Sequence, residues 1–378
     1  MSDTMQLIQF LTTWTAVIFL VVYALLHFYL LFMTMHIPER KKSTDSPIRE
    51  NVSIVIPVKN EVQRLGPLLA SLDRLCAPGE LEILFIDDHS DDGSIRLLED
   101  YASTRTGKVK ILSNPYNPSR KLTSKQQALE HGISMASFDL IALTDADMEL
   151  HPDWLMSLCD ALDNSTVLVF GHTVIAPVKN FFYLLQSLQL EFLFTVAVLF
   201  HYARISGSCM GNNLLVRKSV YRECGGQQAI GYSIAEDRAL LRLFHKCKRK
   251  TGIVAPFTPT ARTVPHETFS GFIHQVARWA TGGFSCGRNL FFFGSLFLMH
   301  ILLCTAAAGG IMPFFTGITA LISFCCVWLV VFVMFARNRS GVTPLIFPLF
   351  YPMVIVETIA ITILFLSGKK LHWKKRSI

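Results

Sequence analysis

From Leu7 to Met35 the chain is apolar and carries no Lys, Arg, Asp or Glu. About 20 such residues cross about 30 Å of hydrocarbon as a helix, so the run predicts a transmembrane anchor within residues 1–40. The opening MSDTMQ lacks the basic n-region of a signal peptide, and Arg40, Lys41 and Lys42 follow the apolar run. By the positive-inside rule the N-terminus lies outside and the chain enters the cytoplasm near residue 40. Over residues 50–285 the period changes. NVSIVIPV, LEILFI, FDLIALTD and STVLVFGH are short apolar runs, and the first three end in polar or acidic segments. Between them, VQRLGPLLASLDRL and SKQQALEHGISMA place apolar residues at helical spacing. Strands alternating with helices predict βαβ units, a mostly parallel sheet and a ligand site at the carboxyl ends of its strands.

After Arg288 the chain turns apolar again. Leu290–Phe315, Phe315–Phe335 and Leu345–Leu366 are three candidate spans within residues 286–368, and the tail 369–378 is basic. Three full crossings would carry that tail outside, against the positive-inside rule, so one stretch is expected to be re-entrant or interfacial. A further apolar stretch, Phe181–Tyr202, lies inside the α/β region and contains Glu191. As a span it would separate the acidic motifs across the membrane, so a helix on the membrane surface near 181–202 is expected instead. The expected architecture is an α/β domain combined with transmembrane helices.

Composition sharpens this picture. Of 378 residues 51% are hydrophobic and only 17% charged, which excludes disordered and coiled-coil classes and argues against an all-soluble protein. A net charge of +7 suits an anionic membrane surface better than nucleic acid. Nine cysteines without a CxxC or metal-ligand spacing point to a reducing compartment.

Four motifs carry candidate chemistry. In IDDHSDDGS, Asp87 and Asp88 end a buried strand, where a carboxylate costs free energy without a partner. In LTDADM, Asp145 and Asp147 stand two apart, a spacing that lets both face one hard divalent cation such as Mg²⁺ or Mn²⁺. In IAEDRAL, Glu236 and Asp237 open a helix, where they balance the dipole or serve as a base toward a hydroxyl. In QVARW, Gln275, Arg278 and Trp279 share one helix face, which suits a membrane-interface anchor or a diphosphate and a sugar ring.

Taken with IVIPVKNE, the Lys125 segment and GNNLLVRKSVY, these motifs resemble the membrane-bound family 2 inverting glycosyltransferases with their D, DxD, D, QxxRW signature. The likeness covers about residues 50–285 and includes ceramide glucosyltransferases and, more distantly, processive polysaccharide synthases. The resemblance implies a GT-A fold, a Rossmann-like nucleotide-binding domain in the cytoplasm of an integral, multi-pass membrane protein. It implies that Pro57, Asn60, Glu61, Asp87, Asp88 and Lys125 bind the nucleotide sugar, a uridine nucleotide by expectation. Asp145 and Asp147 would hold nucleotide and metal, Asp147 being favoured as the direct ligand. Asp237 would be the catalytic base, and Glu236, Gln275, Arg278 and Trp279 would line the acceptor and diphosphate side. The expected reaction moves one sugar to a lipid hydroxyl. A processive polysaccharide synthase and a non-catalytic nucleotide-binding membrane protein are the alternatives.

Overall fold

The computed structural model describes residues 50–105, 107–204, 207–254, 260–284, 313–338 and 344–367. It adds 31–37 and a few single positions before them, and the pairs 372–373 and 376–377 after them. Ten strands form two sheets: β1 Val52–Val58, β2 Leu81–Asp87, β3 Val109–Ser113, β4 Leu140–Leu143, β5 Met148–Leu150, β6 Thr166–Phe170, β7 Thr173–Ile175, β8 Leu214–Arg217, β9 Lys250–Ile253 and β10 Ala261–Thr263. The helices of the domain are α1 Leu65–Leu72, α2 Ser94–Ser103, α3 Ser124–Met135, α4 Trp154–Asp160, α5 Phe181–Tyr202, α6 Lys218–Glu223, α7 Gly226–Ile230, α8 Glu236–Lys246 and α9 Phe269–Phe284. Two apolar helices follow, α10 Pro313–Asn338 and α11 Phe350–Leu366.

The large sheet runs β3-β2-β1-β4-β8-β6-β9, and every pairing is parallel except the two made by β8. The expected mostly parallel sheet is therefore present, with one reversed strand supplied by GNNLLVRK. Alternate residues serve opposite faces: Val52, Ile54 and Ile56 of β1 pack into one core, and Val55 into the other. Burial on both faces explains why these strands read as continuous apolar runs rather than alternating ones. A small sheet, β5-β10-β7, stands beside the carboxyl ends of the main one.

Helix α5 has the bounds expected from the sequence, and it is long and apolar enough to cross a membrane. Its Phe194, Ala197 and Val198 pack into the domain core. Its Leu188 packs with Val331 and Phe335 of α10 and Met353 of α11. Arg337, near the end of α10, donates to the carbonyls of Thr34 (3.0 Å) and Ile37 (2.8 Å), and Ile37 is buried in the domain core. The carboxyl end of α10 and the end of the helical residues 31–35 therefore meet against the α/β domain. Exposed Leu321, Ile322 and Phe332 on α10, and Val356, Ile359 and Ile363 on α11, leave both helices with apolar outer faces. Of the expected spans, Phe315–Phe335 falls inside α10. Leu345–Leu366 becomes a 3-10 turn, Pro344–Leu349, followed by α11. Most of Leu290–Phe315 and most of the N-terminal anchor lie outside the described residues.

Candidate active site

A cavity of about 510 Å³ opens at the carboxyl ends of β1 and β4. Its polar wall includes Glu61, Lys125, Asp145, Asp147, Glu236 and Asp237. Gln275, Arg278 and Trp279 of α9 line it as well, and Leu190, Leu193, Ala197 and Phe200 of α5 give it an apolar side. The apolar positions recur at helical spacing, so one stripe of α5 faces the cavity while other stripes pack on the domain and on α10.

Lys125 is central. Thr123 caps α3 in a reciprocal capping box: its Oγ1 accepts from the Gln126 N–H (3.1 Å), and Gln126 Oε1 accepts from the Thr123 N–H (3.0 Å). This fixes the first turn, where Lys125 Nζ lies 2.9 Å from Asp145 Oδ1 and 2.8 Å from Glu236 Oε1. Burial disfavours the ammonium, but Asp145 and Glu236 outweigh it and hold the pKa above the usual lysine range. One side chain thus ties the LTDADM segment to the start of α8.

Asp145 and Asp147 both line the cavity, though a turn at Ala146 and Asp147 replaces the extended run expected there. Ala146 is drawn into the core, and Asp147 is turned toward Arg64, whose Nη1 stands 3.8 Å away. About a third of the Asp145 side chain and a quarter of that of Asp147 stay accessible. The described residues hold no cluster of three His, Cys, Asp or Glu. Two accessible carboxylates without nitrogen or sulfur ligands suit a hard cation that completes its shell with substrate phosphates.

Asp237 accepts from the main-chain N–H groups of Arg238 (2.7 Å) and Gly211 (3.0 Å). A Cβ on Gly211 would lie 2.6 Å from Asp237 Cβ, so only glycine lets the β8 approach come this close. Burial and the Glu236 charge push the Asp237 carboxyl up to about 6, against the pull of the two N–H groups and Lys125. Arg278 is lowered from its usual range by burial, opposed by Glu236, Asp145 and Asp147. All three acids act on the α9 guanidinium from across the cavity.

The remaining expected residues divide. Pro57 and Glu61 line the cavity. Asn60, Asp87 and Asp88, expected at the nucleoside, hydrogen-bond within and between the segments that follow β1, β2 and β3 and the start of α3. Asn60 Oδ1 accepts from the Asp91 N–H (2.9 Å), its own N–H donates to Ser90 Oγ (3.0 Å), and its φ is +53°. Asp87 accepts from the Ser90 N–H, and Asp88 Oδ1 accepts from Asn114 Nδ2 (2.8 Å) and the Ser124 hydroxyl. The buried strand-end carboxylates find their partners inside the protein. Tyr116, Tyr232 and Gly211 also line the cavity and escaped the sequence reading. Arg64, which faces Asp147, escaped it too. Gly211 had a signal, since it opens the GNN segment. Within that segment Asn213 is a buried hub, accepting from Trp154 Nε1 (2.8 Å) and donating to the His172 carbonyl (3.0 Å).

The family description Glycosyl transferase family 21 matches residues 12–377 of this chain. Among curated proteins, the chain is 33% identical over 141 residues to the undecaprenyl-phosphate 4-deoxy-4-formamido-L-arabinose transferase of Klebsiella pneumoniae (strain 342). That match covers 36% of this chain and 39% of that protein. The enzyme of the same name from Pseudomonas fluorescens (strain SBW25) is 32% identical over 133 residues, 34% of this chain and 35% of its own length. The chain thus aligns with less than two fifths of the length of these relatives. Among solved structures, a mannosyltransferase from Pyrobaculum calidifontis in complex with GDP-Man and Mn²⁺ superposes with a TM-score of 0.51 at 15% identity. The superposition covers 85% of this chain and 95% of that one, a likeness of fold.

Proposed function

This chain belongs to glycosyl transferase family 21 and is a glycosyltransferase; from that premise we propose that it moves one sugar from a nucleotide sugar to the hydroxyl of a membrane lipid. The observation that carries the reading is one cavity that joins the half-buried Asp237 to the apolar stripe of α5. A lipid hydroxyl reaches Asp237 along Leu190, Leu193 and Ala197 while its chains stay in apolar surroundings.

In the proposed displacement, the acceptor oxygen bonds to the anomeric carbon as the bond to the nucleoside diphosphate breaks, which inverts configuration. Asp237, ionised above about 6, takes the hydroxyl proton. Lys125 and Arg278 supply the positive charge that receives the departing diphosphate. Asp145 and Asp147 would hold Mg²⁺ or Mn²⁺, whose chemistry when bound is neutralisation of diphosphate charge. Glu61 and Pro57 border the donor end, and Trp279 offers a face to a sugar ring.

The names of the curated relatives suggest a second reading, in which the acceptor is a polyprenyl phosphate. The placement of Asp237 favours the hydroxyl. Five carboxylates, Glu61, Asp145, Asp147, Glu236 and Asp237, line the cavity against Lys125, Arg238 and Arg278. A divalent cation at Asp145 and Asp147 evens that balance, so charge alone does not separate the two acceptors; a phosphate acceptor, already ionised, leaves Asp237 without a proton to take. A processive synthase would also require a polymer channel, and no feature of the described residues favours it. The membrane placement belongs to the same proposal. At about 1.5 Å per residue, α10 is about 39 Å long, enough to span; α5 rests at the membrane surface, and the catalytic domain faces the cytoplasm.

The test supplies detergent-purified protein with Mg²⁺ or Mn²⁺, a panel of nucleotide sugars, and either a neutral-lipid extract or undecaprenyl phosphate. Diphosphate release that depends on the neutral lipids, with one sugar added to a lipid by mass spectrometry, is the expected result. Release only with undecaprenyl phosphate overturns the hydroxyl reading, and a growing polymer favours the synthase.

A further inference from the structure

Helix α11 carries one charged residue, Glu357, and buries it: 4% of the residue is exposed. Its Oε2 accepts from Nε2 of Gln189 on α5 at 2.7 Å, and Gln189 is itself 6% exposed. The second oxygens of both side chains, Glu357 Oε1 and Gln189 Oε1, are buried without a hydrogen-bond partner among the described residues. Apolar packing alone would hold two helices together more cheaply than such a pair. The known benefit of a buried polar pair is that it fixes one register among many.

The register set here reaches the cavity. Gln186, one turn before Gln189 on α5, grips the main chain of His266. Its Nε2 donates to the carbonyl (2.9 Å), and its Oε1 accepts from the N–H (2.8 Å), just before α9 begins. On α11, Ala360 and Ile361 lie one turn past Glu357 and pack against Phe272, Ile273 and Val276 of α9. Trp279 packs against the same cluster. Helix α9 is thus held by α5 at its start and backed by α11 along the stretch that leads to Gln275, Arg278 and Trp279.

We propose that Glu357 is a positioning residue: its hydrogen bond to Gln189 registers α11 on α5 and so seats Arg278 and Trp279 of α9 in the cavity wall. The catalytic consequence rests on the transfer reading given above, whereas the register itself does not.

Two variants of the full-length protein separate this from plain packing. Glu357→Leu keeps volume and removes the hydrogen bond. Glu357→Gln keeps the acceptor and adds a donor for the bare Gln189 oxygen. Turnover with a lipid acceptor should fall by about tenfold or more in Glu357→Leu and stay within about twofold in Glu357→Gln. Full turnover in Glu357→Leu, or equal loss in the two variants, overturns the proposal. A second readout needs no activity. Cysteines placed at Ile273 and Ile361 should cross-link in the otherwise unchanged protein and in the Glu357→Gln background, and should lose most of that cross-link beside Glu357→Leu. Undiminished cross-linking there overturns the register argument, even if every acceptor fails. Lost cross-linking without measurable transfer sustains the register and faults only the acceptor reading.

Discussion

The two ends of the central strands treat a carboxylate in opposite ways. At the amino end, Glu82 on β2 accepts from the Ser53 hydroxyl (2.7 Å), from Lys110 Nζ, and from both the N–H and the hydroxyl of Ser137 (2.8 Å each). Burial alone would raise its pKa, yet these donors, Lys110 foremost, bring it down to about 2. At the carboxyl end, Asp237 has two main-chain donors and a like charge beside it, and burial with Glu236 lifts it to about 6. The first carboxylate is locked as an anion that joins β1, β2 and β3 at their base. The second sits close enough to neutral pH to exchange a proton, which is what the proposed base role needs. Burial raises both acids, and the donors around Glu82, with Lys110 foremost, reverse that rise, whereas those around Asp237 do not.

Exchanging the acids for amides should expose that contrast most strongly. Asp237→Asn should lower turnover by about 10²–10⁴-fold with donor affinity kept, measured as diphosphate release beside nucleotide-sugar binding. Glu82→Gln should keep turnover and lose about 1–3 kcal/mol of stability in chemical denaturation, because a buried donor set loses its charged acceptor. Lys125→Met removes the cation shared by Asp145 and Glu236. It should lower turnover by about 10²-fold. It should also move the acid limb of the pH–rate profile upward, since Lys125 helps hold the Asp237 pKa down. Gly211→Ala would set a Cβ 2.6 Å from Asp237 Cβ, beside the backbone, and should cost about tenfold in turnover together with a lowered thermal midpoint.

The smallest effects are those of pH itself. In the unaltered protein, turnover should rise through about pH 6 as Asp237 ionises. Glu82 has the opposite linkage: its folded pKa lies below its unfolded value of 4.5, so its contribution to stability is complete above 4.5 and is lost as pH falls toward 2. Denaturation midpoints taken from pH 6 to pH 3 should therefore fall in the parent and fall less in Glu82→Gln.

Much of this was legible in the sequence. The apolar runs β1, β2, β4 and β6 lie where their pattern puts them, and α5 keeps the bounds Phe181–Tyr202 because its polar flanks, Asn180 and Ala203–Arg204, end the run. Lys125, Asp145, Asp147, Glu236, Asp237, Gln275, Arg278 and Trp279 all border one cavity. The hydrogen-bond partners of Asn60 and Asp88 were not legible. Asn60 bonds to Ser90 and Asp91, and Asp88 to Asn114 and Ser124, in segments that only the parallel pairing of β1, β2 and β3 brings together, whereas Asp87 bonds locally to Ser90. The reversed β8 was missed for a related reason. GNNLLVRK is short, and its direction is set by where the chain arrives after α5, which no local pattern encodes. Glu357 and Gln189 stand 168 residues apart, so their pairing depends wholly on helix packing.

The central claim is that Asp237 deprotonates an uncharged lipid hydroxyl in the cavity beside α5. It is tested most directly by single-turnover transfer with pre-bound nucleotide sugar, run on the parent and on Asp237→Asn, with a neutral lipid acceptor in both. The account predicts equal donor occupancy, a glycolipid product in the parent, and transfer slowed by about 10²-fold or more in the variant. Transfer at the parental rate in Asp237→Asn would contradict it.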